Sequence, residues 1–358
     1  MVLERRYQLQ SEATNRQIEA LLETQQIPDA SRPLYAQLLT TVLKMYEDGA
    51  DLGDLKIANS TLKEMRYAFK VLSRYRDTPK VTIFGSARTP PHSPISQQAL
   101  QFAATMVKGG WMVVTGAGGG VMGAAQQGAG RESSFGLNIR LPFEQEVNPW
   151  IAEDPKLINF KYFFARKLFL LKEAHATCLF PGGFGTCDEA FEVLTLMQTG
   201  KSSLIPVVMV DIPGGDYWRQ WEQFLREQMV TRQLIDADDL NLFRITDDVQ
   251  EATAEIFGFY QVFHSARYVD DDLVFRLKRP LPTEALLALR EEYADILRGP
   301  LTQQQGPLPV ENEEWPALWR LIVPFTRSRY GRLRKLIDAI NCCPVVPSGE
   351  APVSAALA

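Results

Sequence analysis

Histidine and cysteine are scarce in this sequence, with three histidines and four cysteines among 358 residues. His92, His175 and His264 lie far apart, and Cys178, Cys187, Cys342 and Cys343 share no ligand spacing with them, so no metal centre is expected. The same scatter offers no triad and no reactive-cysteine setting; Cys187 is read as a packing residue. Two adjacent cysteines make a poor disulfide framework, which points to a reducing, cytoplasmic compartment. Long apolar runs are also missing. None approaches the roughly 18 residues of a membrane span, and Met1 to Arg6 turns polar too soon for a secretion signal. Nor is there an excess of positive charge. With Lys+Arg 38 against Asp+Glu 43, the net charge of -5 argues against nucleic acid as the main partner. What remains is an ordinary globular composition, 46% hydrophobic and 23% charged, at a length suited to two domains or one domain with extensions.

Residues 1–79 carry apolar positions at three- and four-residue spacing, in Leu34 to Tyr46 and in Thr61 to Tyr75, and are read as a helical extension. From Lys80 the texture changes. Val81–Phe84, Trp111–Thr115, Phe135–Ile139, Ala176–Phe180 and Ile205–Val210 read as strands, with helical patterns at Ser96–Lys108, Val121–Gly128, Tyr162–Glu173 and Thr186–Gly200. Such alternation predicts an α/β fold, a doubly wound Rossmann-like parallel sheet over residues 80–257, closed by helices near Tyr217–Met229 and Asp247–Phe257. Residues 258–358 are expected to form an α+β extension. It would hold a hairpin around Asp270–Asp272, a helix capped by Thr283, a mobile linker near 299–314 and a disordered tail from about 344. The basic run Arg327, Arg329, Arg332, Arg334 and Lys335 reads as a solvated helix face, with a regulatory anion site as the alternative.

Three glycine-bearing loops follow strands: Gly85-Ser86-Ala87-Arg88, Gly116 to Gly123, and Pro181-Gly182-Gly183-Phe184-Gly185-Thr186. Loops of this kind let backbone amides approach a phosphate, and a following helix N-terminus favours its charge. In a doubly wound sheet such loops meet beyond the carboxyl ends of the strands. The second loop contains a formal G-x-G-x-x-G at Gly118, Gly120 and Gly123, but it follows the second strand. The next strand, ending Asn138-Ile139-Arg140, also lacks the ribose-binding acid, so NAD is disfavoured while Arg140 leaves NADP open.

The third loop leads to Glu189, a carboxylate one turn into a helix. Thr186-x-x-Glu189 is also a formal capping box, which by itself accounts for both residues but not for Pro181 and three glycines. Arg166 sits in an apolar helix, Phe160 to Leu171, just before the strand that delivers Pro181. A guanidinium in such a helix needs an anion or a route to solvent.

Together these residues resemble the LOG (Lonely Guy) family of nucleoside 5′-monophosphate phosphoribohydrolases, which carries an older lysine-decarboxylase-like label. The matching pieces are Pro181-Gly-Gly-x-Gly-Thr-x-x-Glu189, Arg166-Lys167, Gly118-Gly119-Gly120-x-Met122-Gly123 and Phe84-Gly85-Ser86, within residues 80–257. Leu137 to Glu144 looks like the longer members, and Cys187 and Asp188 stand where the family often has Leu and Glu. The resemblance implies metal-free, cofactor-free hydrolysis of an N-glycosidic bond, to free base and ribose 5-phosphate, by a homodimer or larger homo-oligomer. It implies Glu189 and Arg166 as catalytic residues, and Gly85, Ser86, Gly118, Gly119, Gly120, Met122, Lys167, Gly182, Gly183, Gly185 and Thr186 as substrate-binding ones. AMP and cytokinin riboside monophosphates are the implied substrate type.

Two other classes stand beside the hydrolase. One is a carrier or sensor of a phosphate-bearing ligand on the same fold, without turnover. The other is a pyridoxal-phosphate decarboxylase, for which Lys167 is the one tempting Schiff-base lysine and nothing around it supports the cofactor.

Overall fold

A computed structural model describes residues 8–141, 146–311 and 314–345. The chain divides into two compact units, Met1–Arg66 and Tyr67–Ala358. The first is helical: α1 (Glu12–Thr24), α2 (Arg32–Glu47) and most of α3 (Leu52–Leu72). Ser11 caps α1 by accepting from the Thr14 amide, and Leu9, Ile18 and Leu22 form a small core against Ile27, Ala36 and Leu39.

The second unit contains a seven-stranded parallel sheet. Its strands are β1 (Lys80–Phe84), β2 (Met112–Thr115), β3 (Ser134–Ile139), β4 (Leu157–Phe160), β5 (Ala176–Leu179), β6 (Val207–Val210) and β7 (Arg244–Thr246), in the order β4-β3-β2-β1-β5-β6-β7. Helices α4 (Pro94–Lys108), α5 (Gly120–Ala129), α6 (Phe163–Lys172), α7 (Phe184–Gln198), α8 (Tyr217–Phe224) and α9 (Val249–Phe259) connect them. The strand residues Val81, Ile83, Val113, Cys178 and Val208 share one core with Phe102 and Met106 of α4, Ala125 of α5 and Ile256 of α9. On the opposite face of β1, Thr82 donates its hydroxyl proton to the Leu170 carbonyl of α6 at 2.7 Å. The architecture is therefore α/β and Rossmann-like. The chain moves outward from β1 to β4, then returns to place β5 on the other side of β1. The β1–β5 boundary is the switch point, and there the strands' carboxyl ends open a crevice.

A second, antiparallel sheet follows: β8 (Phe263–Val269), β9 (Asp272–Leu277), β10 (Thr302–Gln305) and β11 (Trp319–Val323), in the order β10-β11-β9-β8, with α10 (Thr283–Glu292) and α11 (Tyr330–Cys342). The hairpin turns at Asp270-Asp271, as its acidic tip implied. Two expectations need correction. Thr283 does not cap α10; Pro282 occupies that position and Thr283 is the first helical residue. The stretch 299–311 is no free linker, because β10 pairs with β11 and the buried Gln303 side chain bonds both backbone groups of Leu281. A glutamine amide matches a backbone donor and acceptor together, so a polar run can still be tied down. The tail beyond residue 345 lies outside the described residues.

The extension's sheet is pinned by a buried charge cluster. Glu311 accepts from Arg276 Nε (3.0 Å) and Nη2 (2.8 Å), from Arg320 Nε (2.7 Å) and from the Leu308 amide (2.9 Å). Burial opposes its charge, but the Leu308 amide and the two guanidiniums hold its carboxyl down at about 2. Nearby, the basic run is largely paired. Arg327 meets Asp271, Arg329 meets Asp238 and Asp295, Arg332 meets Asp295, and Arg334 meets Glu255 and Asp338. Those carboxylates offset the positive field that a regulatory anion would need.

Candidate functional site

At the switch point, β1 runs into Gly85–Arg88 and β5 into Phe180–Gly183. The Ser86 amide donates to the Pro181 carbonyl (3.2 Å), and the Val121 amide donates to the Ser86 carbonyl (3.1 Å). All three glycine loops are thus joined at Ser86. Two glycines are required by the contacts. A Cβ on Gly182 would stand 2.1 Å from Thr186 Oγ1, and one on Gly120, whose φ is +59°, would stand 2.2 Å from the Ser86 carbonyl oxygen. Gly183 and Gly185 differ, since a Cβ there would meet nothing within 4 Å. They keep the approach to the α7 N-terminus open.

These loops surround a cleft of about 760 Å³. Of the residues expected there, Gly85, Ser86, Met122, Arg166, Gly182, Gly183, Gly185, Thr186 and Glu189 line it. Gly118, Gly119, Gly120 and Lys167 do not. Gly118 offers its carbonyl to the Asn148 side chain (3.0 Å), Gly119 caps α5, and Gly120 supports Ser86 from behind. Lys167 is turned toward α7, where its ammonium pairs with Asp188 (2.6 Å) and Glu192 (3.3 Å). It reaches Glu189 through its charge rather than by contact with the cleft.

The start of α7 removes the capping-box reading. Gly183, extended at φ -88° and ψ -157°, is the N-cap, and no side chain caps the helix. Thr186 therefore stands in the first turn, its amide donating to the Gly183 carbonyl (3.0 Å). Glu189 is one further turn along and has no cap amide to return to. A helix begun on glycine leaves its first-turn amides to water or to a ligand.

Glu189 is buried, 4% exposed, and among the described residues its Oε2 has no hydrogen-bond partner. Burial raises its carboxyl to about 7, against the opposing pull of Lys167 and then Arg166. Arg166, from α6, lies over the Phe163 ring at 5.0 Å, and its Nε is likewise buried and, among the described residues, without a partner. Burial lowers the affinity of Arg166 for its proton, and the charges of Glu189 and Asp188 oppose that shift. Glu189 and Arg166, each with a buried polar atom unpartnered among the described residues, thus line the same cleft. Buried polar atoms are ordinarily satisfied, so such a pair marks a place for a ligand.

Tyr217 and Leu170, which also line the cleft, carry no motif, while Arg88 and Phe184 line it from within two of the expected loops. Tyr217 opens α8 just beyond β6, another strand end at the same sheet edge, and that position was its one signal. Asn148 was missed too. Its buried amide binds the Ala117 and Gly118 carbonyls and Gln126 Oε1, holding the second glycine loop. A lone asparagine in a loop gives no pattern to read.

Residues 121–256 match the family model described as "Possible lysine decarboxylase". That stretch runs from α5 into α9 and contains Arg166, the Pro181 turn and Glu189. A comparison with curated proteins gives no match. Similar solved structures include the molybdenum cofactor binding protein of the phototrophic bacterium Rippkaea orientalis, at 20% identity over 50% of this chain and 95% of that one, TM-score 0.37. The Moco carrier protein of Chlamydomonas reinhardtii is 20% identical over 50% and 96%, TM-score 0.35. The structural-genomics target TM1055 is 22% identical over 50% and 99%, TM-score 0.34. The Pro-Gly-Gly-x-Gly-Thr-x-x-Glu turn and the Arg-Lys pair lie inside the matched residues, so the segment 121–256 is similar to the LOG-like family that bears the lysine-decarboxylase description.

Proposed function

We propose that this chain hydrolyses the N-glycosidic bond of nucleoside 5′-monophosphates of the AMP or cytokinin riboside type, releasing free base and ribose 5-phosphate. The observation that carries the reading is Glu189, a buried carboxylate in the cleft with an unsatisfied oxygen and a pKa raised to about 7. Glycosidic cleavage develops positive charge at C1′ of the sugar. A carboxylate held in a poorly solvated cleft stabilises that charge, and the same oxygen can take the proton of the attacking water. Water adds to C1′, the base departs with the bonding electron pair and gains a proton, and ribose 5-phosphate remains.

The 5′-phosphate is assigned to the amides at the start of α7, around Gly183 and Gly185, with Ser86 and Arg88 beside them. Fixing the phosphate positions C1′ against Glu189, so remote binding energy contributes to the chemical step. Arg166 lines the same cleft, and its guanidinium is assigned to a ribose hydroxyl or to the departing base. The cytoplasmic, oligomeric enzyme that the resemblance implies belongs to this same proposal.

The reading predicts a phosphate requirement: AMP is cleaved and adenosine is not, as seen by release of adenine. It also predicts a pH profile. If the ionised Glu189 is the working form, kcat/KM for the wild type rises about tenfold per pH unit up to about 7 and then levels, because kcat/KM reports the free enzyme. The substrate's phosphate titrates near 6, about a unit lower, so the two limbs are separable. A limb near 4.5 would mean that Glu189 behaves as an ordinary carboxylate.

A further inference from the structure

We infer that Tyr217 is a positioning residue for the phosphate cradle, acting through the Gly182 carbonyl with Cys187 behind it; this rests on the phosphate assignment above. The Tyr217 hydroxyl donates to the Gly182 carbonyl oxygen at 2.7 Å and lies 3.5 Å from Cys187 Sγ. A carbonyl can only accept, so the single phenolic proton is committed to Gly182. The contact with sulfur then has one consistent sense, in which the Cys187 thiol donates to the tyrosine oxygen. The result is a chain: Cys187 S–H to Tyr217 O–H to Gly182 C=O.

That carbonyl belongs to the same peptide group as the Gly183 amide, the cap of α7. Hydrogen bonds in series polarise one another, so a donor on the carbonyl strengthens the amide on the other side of the peptide plane. It also fixes the rotation of that plane. Glycine on both sides leaves the Gly182–Gly183 peptide free of side chains that could hold it, so the fixing must come from outside. Tyr217 is well placed to supply it. Its ring stands edge-on to Trp218 at 4.8 Å, and Trp218 is fully buried, which anchors the start of α8. Cys187 and Tyr217 both line the cleft beside the turn they brace.

The test is calorimetric titration of the full chain with inorganic phosphate and with ribose 5-phosphate. Tyr217→Phe removes the one hydroxyl and is expected to weaken both ligands about three- to tenfold, the worth of a single neutral hydrogen bond. Cys187→Ala should weaken them by about twofold, while Cys187→Ser, which keeps a donor, should match the wild type. The Glu189 limb of the pH profile should stay in place in all three. A folded Tyr217→Phe with wild-type phosphate affinity overturns the inference. Should Tyr217→Phe fail to fold, equal affinities for Cys187→Ala and Cys187→Ser overturn it instead. Phosphate affinity that depends on Tyr217, without base release from any monophosphate, supports this inference and defeats the hydrolase. A wild type that binds neither phosphate nor ribose 5-phosphate defeats both.

Discussion

Glutamine in place of Glu189 is expected to slow base release from a nucleoside monophosphate by about 10²- to 10⁴-fold, the range that a positioned acid–base group supplies. The same substitution should make the protein more stable above neutral pH. A carboxyl whose folded pKa is raised binds its proton more tightly in the folded state. The folded form is therefore favoured fully below the unfolded value near 4.5, and that advantage is lost as pH rises through about 7. At pH 8 the buried charge costs on the order of 3 kcal/mol, and Glu189→Gln removes it. Thermal unfolding at pH 8 should shift upward in the variant, with the difference gone below about pH 4.5. A residue kept for stability would behave in the opposite way, losing stability on substitution. This is the pattern of a site that holds an unfavourable charge because its chemistry needs one.

Much of this site was legible in the chain because its signals are local. Pro181 and the glycines mark the turn, and the apolar runs around β1 and β5 place it at a sheet edge. The start of α7 was not legible. Threonine is a common cap and Thr186-x-x-Glu189 has the right spacing, but Gly183 adopts the cap conformation first, and the helix starts before Thr186. β4 and β7 escaped notice because they are outer strands of four and three residues with mixed burial, too short for a clear period. Lys167 is implied as a site residue by the family resemblance, through the Arg166-Lys167 pair. A step of about 100° around α6 turns it to the acids of α7 instead. The order of 299–311 depends on pairing with β11 and on a glutamine that mimics backbone, and neither shows in composition.

The second large effect concerns stability alone. Glu311→Gln should destabilise the Tyr67–Ala358 unit by about 3–5 kcal/mol, because it breaks a buried ionic cluster and strands its partners. Arg320 is fully buried. It retains the Glu314, Trp315 and Leu318 carbonyls but loses its counter-charge. Among the described residues, the Arg276 side chain keeps Glu314 at 2.8 Å. Thermal unfolding should fall by roughly 10 °C, with activity at low temperature little changed, since the cluster lies in the second sheet and not in the cleft. The pH dependence has the opposite sign to that of Glu189. A depressed carboxyl contributes stability above its unfolded value, and that contribution is lost as pH falls from about 4.5 toward 2. The wild type should therefore lose stability across that window while Glu311→Gln, already without the contribution, changes less. Equal acid sensitivity of the two proteins would show that the cluster does not govern the transition.

The central claim is that a carboxylate in a phosphate-holding cleft cleaves a nucleotide. Its most direct test is to incubate wild type and Glu189→Gln with AMP, GMP and CMP, without added metal, and to measure free base and ribose 5-phosphate together. The wild type should yield equimolar base and ribose 5-phosphate from at least one monophosphate, and the variant a rate lower by at least about 10²-fold. Binding of the monophosphates without release of any base, or an unchanged rate in Glu189→Gln, would contradict it.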